Sequence, residues 1–203
     1  MSIFAKQKAR KTKYMAIRLD ITEDSRNLFC DSKWWGDPDM PEDMEYPMLD
    51  GYPLTFICQI AGYDIERFDP EGVLPHDGMF YFFAAIDEFL GYESPIKHDG
   101  AGEWPKGHAV VKYTKAVNME TFKSVILLDD EDNPISQKAQ RLEFSACQED
   151  FAGFRILGAA PEGYVNLLRI PLDPQRTLSF RIKQSDLGFG NWKKARLTLE
   201  VLQ

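Results

Sequence analysis

Residues 54–60 read LTFICQI and residues 79–86 read MFYFFAAI. Both are short, nearly unbroken apolar runs. The first is held between Pro53 and Gly62, and the second is entered from the turn VLPHDG (73–78). Runs of this length, rich in aromatic and β-branched residues and bounded by Gly and Pro, read as buried strands rather than helices. The same reading extends to AIRLDI (16–21), HAVVKYT (108–114), SVILL (124–128), RLEFSA (141–146), YVNLLRIPL (164–172), TLSFRIK (177–183) and ARLTLEVL (195–202). Turns stand between them, and only YDIERF (63–68) predicts a helical turn or two. Strands joined by turns predict an α+β, β-rich fold of mainly antiparallel sheets with long Pro/Gly-rich loops. Residues 3–14 predict a short basic N-terminal helix. No linker is long or distinct enough to divide the chain, so residues 1–203 are expected to form a single domain.

Composition agrees with this class. Of 203 residues, 44% are hydrophobic, enough to bury a sizeable core, and 13% are aromatic, which suits sheet. No apolar run approaches the roughly 18 residues of a membrane span. The start, MSIFAKQKARKTKY, lacks the apolar stretch of a secretory signal, so cytoplasmic residence is expected. Cys30, Cys58 and Cys147 form no CxxC pair, which argues against a disulfide framework or a cysteine-rich zinc site. The net charge is −8, unevenly placed: residues 1–18 hold six basic residues and no acid, leaving −14 for the rest. An acidic body disfavours nucleic acid, which needs a positive surface. For the basic arm, a solvated helix or one paired with the protein's own acidic face is preferred to an anionic partner.

Sequence chemistry is sparse. No G-x-S-x-G elbow, P-loop, HExxH or complete G-x-G-x-x-G occurs. His76 precedes Asp77 and Gly78 where a turn is predicted, so a surface turn outweighs a catalytic pair. DDEDNP (129–134) fails the EF-hand pattern, since Pro134 and Gln140 stand where glycine and glutamate are required. Nothing near Cys147 lowers a thiol pKa. No metal, cofactor or catalytic residue is implied. One internal echo exists: LTFICQI then MFYFFAAIDEF resembles YVNLLRIPL then TLSFRIKQSDL.

Residues 32–47, SKWWGDPDMPEDMEYP, pose the main functional question. Three prolines exclude a helix or a central strand. The stretch reads either as a structural loop closing the sheet or as the lip of a binding site. Trp34 and Trp35 are expected to have opposite fates, one packed inward and one partly exposed. The carboxylates Asp37, Asp39, Glu42, Asp43 and Glu45 read as a solvated acidic loop. Gln59 closes an otherwise apolar strand, so its amide is expected to be buried and bonded to the 32–41 loop. Trp34, Trp35, Asp37 and Gln59 are the candidate binding residues.

SKWWGDPDMP (32–41) resembles the S-K-x-G-G-x-P-x-L-P signature of the YwqG-like bacterial proteins. Tyr46-Pro47, Gly51, PLTFICQI, LPHDGMFYFF and the closing LSFRIKQSDLGFGNWKKARLTLEVLQ also resemble that family in the same order. Trp35 and Met40 depart from the signature. LLRIPLD (167–173) carries Arg169 where the family has glutamine, and the family's Trp-Gly-Asp-x-Gly turn after that block is missing. The resemblance implies an antiparallel α+β fold and no established activity; some members occur near bacterial toxin systems. The leading expectation is a non-enzymatic, cytoplasmic protein-interaction module whose acidic body suits a basic partner. The alternative is a small-molecule binder or hydrolase with a pocket near the 32–47 loop.

Overall fold

Eight of the nine apolar runs are strands of one continuous sheet in the computed structural model, which describes residues 14–92, 98 and 100–202. In chain order the strands are β1 (Ala16–Thr22), β2 (Lys33–Trp34), β3 (Asp39–Pro41), β4 (Met48–Leu49), β5 (Tyr52–Pro53) and β6 (Thr55–Ala61). Next come β7 (Met79–Ala84), β8 (Gly102–Glu103), β9 (Ala109–Thr114), β10 (Phe122–Ser124) and β11 (Gln140–Cys147). The chain closes with β12 (Arg155–Leu157), β13 (Tyr164–Pro171), β14 (Arg176–Lys183) and β15 (Arg196–Val201). Two short helices, α1 (Gly62–Ile65) and α2 (Gln184–Gly188), come after β6 and β14.

The antiparallel sheet has eleven strands in the order β8-β15-β14-β13-β12-β1-β11-β2-β6-β7-β9, and it curls until β9 approaches β15. Its inner face holds the larger core, where Ile17, Trp34, Cys58, Phe82, Leu168 and Phe180 meet. Among the described residues, no helix is long and apolar enough to cross a membrane. The helix predicted over 3–14 lies outside the described residues except for Tyr14. That residue packs against the core and its hydroxyl accepts a hydrogen bond from Gln184 Nε2 at 2.7 Å.

The run SVILL is the exception. Only Phe122–Ser124 is strand there, paired with β3, and Val125 and Leu127 turn into a cleft instead. The 32–41 loop takes up the pairing groups: β3 binds β10, and Val125 N donates to Pro38 O. The stretch read as loop, 32–47, contains β2 and β3, and β4 and β5 follow it, each two or three residues long.

The internal echo is a local two-fold relation. β1 pairs with β11 and β12, while β11 pairs with β1 and β2, so the two central strands cross over between halves. Outward from the centre, β2-β6-β7-β9 matches β12-β13-β14-β15. The register agrees residue by residue. Lys33, Gln59, Tyr81 and Lys112 lie in one cross-strand row, and Arg155, Arg169, Ser179 and Thr198 lie in its counterpart. Register shifts fall at matching places, between Phe56 and Cys58 and between Asn166 and Leu168. Each half also has a left-handed pair after its first strand: Trp35-Gly36 (φ 58° and 77°) and Leu157-Gly158 (φ 57° and 73°).

The halves differ on the outer face. In the first, the long 35–54 excursion lays Met40, Tyr46 and Leu49 over Phe56, Tyr81 and Phe83 and forms a second apolar cluster. In the second, the connection over 158–163 is too short to cover anything. The matching outer positions are accordingly polar: Asn166 stands in the place of Phe56, Ser179 in that of Tyr81, and Arg181 in that of Phe83.

Candidate functional site

The 32–41 loop is fastened by a buried polar clasp. Asp39 is fully buried, as is Gln59, and Lys33 is 5% exposed. Asp39 Oδ2 accepts from Lys33 Nζ at 2.7 Å, from Cys30 N at 2.8 Å and from Gln59 Nε2 at 2.9 Å. Its Oδ1 accepts from Ser124 Oγ at 2.6 Å. Gln59 Nε2 also donates to Asp31 O, its Oε1 accepts from Asp39 N, and Tyr81 OH donates to Asp39 O at 2.7 Å. A buried charge is tolerable only when paired and hydrogen-bonded, and here each charge is. Asp39 is therefore no part of a solvated acidic loop, a correction to the reading of 37–45. Asp39 and Gln59 have no solvent access, and the clasp fastens the loop. Replacing Gln59 with leucine is expected to cost about 1–3 kcal/mol, because the amide and carboxylate of Asp39 lose a partner in a buried setting. An unchanged urea midpoint would show the clasp to be dispensable.

The clasp sets the directions of the two tryptophans beside it. Trp34 turns into the core, 5% exposed, edge-on to Phe154 at 5.3 Å and to Trp35 at 5.2 Å. Trp35 then takes the left-handed conformation, its amide held by Ile57 O at 2.8 Å, and its ring lies half-buried against the edge of the same core. Gly36 comes next in the same conformation, where a Cβ would sit 2.7 Å from Ala139 Cβ. Two consecutive left-handed residues reverse the chain, and only glycine fits the second position without displacing Ala139.

Trp35 and Asp37 thereby border a cleft of about 470 Å³. Tyr46, Tyr52, Phe56 and Tyr92 add aromatic walls, Leu54, Leu90, Val125 and Leu127 add aliphatic ones, and Asp87 and Asp129 bring further carboxylates. Among the described residues, no lysine, arginine, histidine or cysteine lines it. Tyr46 is fixed by donation to Leu54 O at 2.7 Å. Burial raises its hydroxyl pKa, and the negative Asp87 and Asp37 raise it further. Burial also pushes the Asp87 carboxyl above the usual carboxylate range. Neither Asp37 nor Asp87 accepts a side-chain hydrogen bond from a described residue, whereas Asp129 is occupied in its own turn by Glu131 N and Asn133 N.

The four residues singled out in the sequence thus separate. Trp35 and Asp37 reach the cleft, Trp34 belongs to the core, and Gln59 belongs to the clasp. Sequence reading did not single out Tyr46 for the site, although it lies in the 32–47 stretch, and it missed Asp87 and Tyr92, which arrive from distant segments. Asp87 had one faint signal, its place in the echoed segment MFYFFAAIDEF after a strand end. Other candidates are not assembled for chemistry. His76 approaches Asp69, at 3.2 Å, rather than the adjacent Asp77, and burial raises the thiol pKa of Cys147. Arg169, which stands where the family resemblance has glutamine, is the two-fold mate of Gln59. It is spent on the carbonyls of Ala152 and Gly153 and on Thr177 Oγ1 at 3.0 Å.

No curated protein matches the chain. A family profile described as a domain of unknown function matches residues 32–162, beginning at the clasp, spanning every residue of the cleft and running through β12. Because the match covers more than half of the 203 residues, the chain belongs to that family, DUF1963.

Proposed function

We propose that this protein is a YwqG-like, cytoplasmic interaction module that uses the cleft beside Trp35 to hold a basic side chain of a protein partner. One observation carries the reading: aromatic walls and three carboxylates, with no basic residue among the described residues of the lining. A lysine or arginine suits such a site. Its aliphatic stem packs on the apolar walls, its cation faces the rings, and its charge meets Asp37 and Asp87. The YwqG-like assignment is supported by the 32–41 block, which opens the family match. A lining without histidine or cysteine disfavours nucleophilic catalysis there.

Titration of Trp35 emission with capped Gly-Arg-Gly, Gly-Lys-Gly and Gly-Glu-Gly peptides tests this. Saturable changes with the basic peptides alone support the reading, and equal or absent responses sink it. Asp87→Asn is expected to weaken binding about tenfold, the scale of one charge-assisted contact. The required form of Asp87 is ionised. Binding is therefore expected to weaken as pH falls through its raised pKa, that is, at a pH above the ordinary carboxylate range. The cleft's volume also suits a cationic small molecule, and free arginine binding as tightly as its peptide would favour that second reading.

A further inference from the structure

At one end of the sheet, β9 pairs with β7, and no strand among the described residues pairs with its other edge. Ala85 N donates to His108 O at 2.9 Å, which fixes the phase of this antiparallel ladder. Val110, Lys112 and Thr114 then bond to β7, and the amides and carbonyls of Ala109, Val111 and Tyr113 point outward. Beyond that edge runs a groove of about 860 Å³. Residues 44–48 form one wall, and 190–197, with Trp192, form the other. The curl of the sheet creates this space, since β9 approaches β15 without pairing to it.

The groove is basic in a protein of net charge −8. Among the described residues, Lys106, Lys112, Lys193 and Arg196 line it, against Glu45 alone among acids. Lys106 and Lys193 are exposed. Burial lowers the pKa of Lys112; Glu45 opposes the shift, and the neighbouring Lys193 adds a smaller lowering. Lysine on an edge strand commonly blocks unwanted pairing. Lys112 cannot serve that way here, because its ammonium is tied back to the carbonyl of Glu45 on the groove wall.

We propose that this groove is a strand-addition site, in which an acidic, extended segment of a partner protein pairs with β9 as a twelfth strand. Main-chain bonds to Ala109, Val111 and Tyr113 supply affinity, and the four cations select for carboxylates. The site is separate from the cleft at Trp35, with Tyr46 between them as a shared wall.

The probe is the capped heptapeptide EVEVEVE, with KVKVKVK and a version of the acidic peptide N-methylated at alternate residues as controls. Titration is paired with amide hydrogen exchange on the full chain. The acidic peptide is expected to bind and to slow exchange at the outward amides of Ala109, Val111 and Tyr113, while both controls fail. Ala109→Pro removes an outward donor without touching the β7 ladder and is expected to weaken binding about tenfold. The doubly reversed Lys106→Glu, Lys193→Glu protein leaves the backbone intact and is expected to lose at least as much. It keeps the test valid if the proline variant misfolds. Binding without protection of those amides, equal binding of the N-methylated peptide, or no binding by EVEVEVE each overturns the proposal.

Discussion

Asp39→Ala is expected to lower the unfolding free energy by about 3–5 kcal/mol, the range for removing one partner of a buried ion pair. The direct attraction lost is the smaller share. Lys33 Nζ would remain in a pocket where its side chain is 6% exposed, with no other carboxylate bonded to it. Cys30 N, Gln59 Nε2 and Ser124 Oγ would each lose an acceptor at the same site. Water cannot replace the oxygens without opening the 32–41 loop, which carries Trp35 and Asp37 into the cleft. Equilibrium urea unfolding measures the loss, and a change below about 1 kcal/mol would mean that the clasp is not closed in solution. The pair Lys33→Met, Asp39→Leu separates charge from shape. Because desolvation nearly cancels the attraction in buried pairs, the double variant is expected to recover a substantial part of the loss.

The second large effect is expected at Gly78, the last residue of the turn before β7. Its φ is +69°, and a Cβ there would lie 1.8 Å from the carbonyl oxygen of Thr114 and 2.8 Å from the carbonyl carbon of Lys115. Both obstacles are backbone, so no rotamer relieves them. Alanine would have to push the end of β9 away from β7, breaking the Met79–Thr114 pair and disturbing the bond from Tyr113 OH to Asp77 Oδ1 at 2.6 Å. Left-handed strain alone costs about 1–2 kcal/mol, and the parted strands bring the expected loss to roughly 3 kcal/mol or more. Gly72 is the control. It has φ +62° with nothing within 4 Å of an added Cβ, so Gly72→Ala should show the strain by itself. Equal melting temperatures for the two variants would refute the clash.

Strands were legible wherever burial on both faces produced an unbroken apolar run, as in MFYFFAAI, which is β7 and is buried throughout. Shorter members of the sheet were not. β2, β8 and β12 have two or three residues each, too few for a period, and they join the sheet through their neighbours' pairing groups. The echo between 54–89 and 164–187 was visible as pattern. Its meaning was hidden, because the crossing of β1 and β11 is a long-range fact with no local residue signal. The cleft was half legible. Trp35 and Asp37 stood out because adjacent tryptophans and carboxylates between prolines are a local pattern. Asp87 and Tyr92 did not, since folding alone brings a segment fifty residues downstream to the same place.

The crossing of β1 and β11 also sets a timetable for the ribosome. β1 leaves the exit tunnel complete at Thr22, yet its two neighbours begin only at Gln140 and Arg155. At 5–20 residues per second, β1 waits on the order of ten seconds for the first strand able to bond it. An unpaired strand with an apolar face is a template for the wrong neighbour during that interval. Lys6, Lys8, Arg10, Lys11 and Lys13 immediately precede it in the chain. Like charges beside a waiting strand are expected to disfavour pairing between nascent copies until β11 arrives.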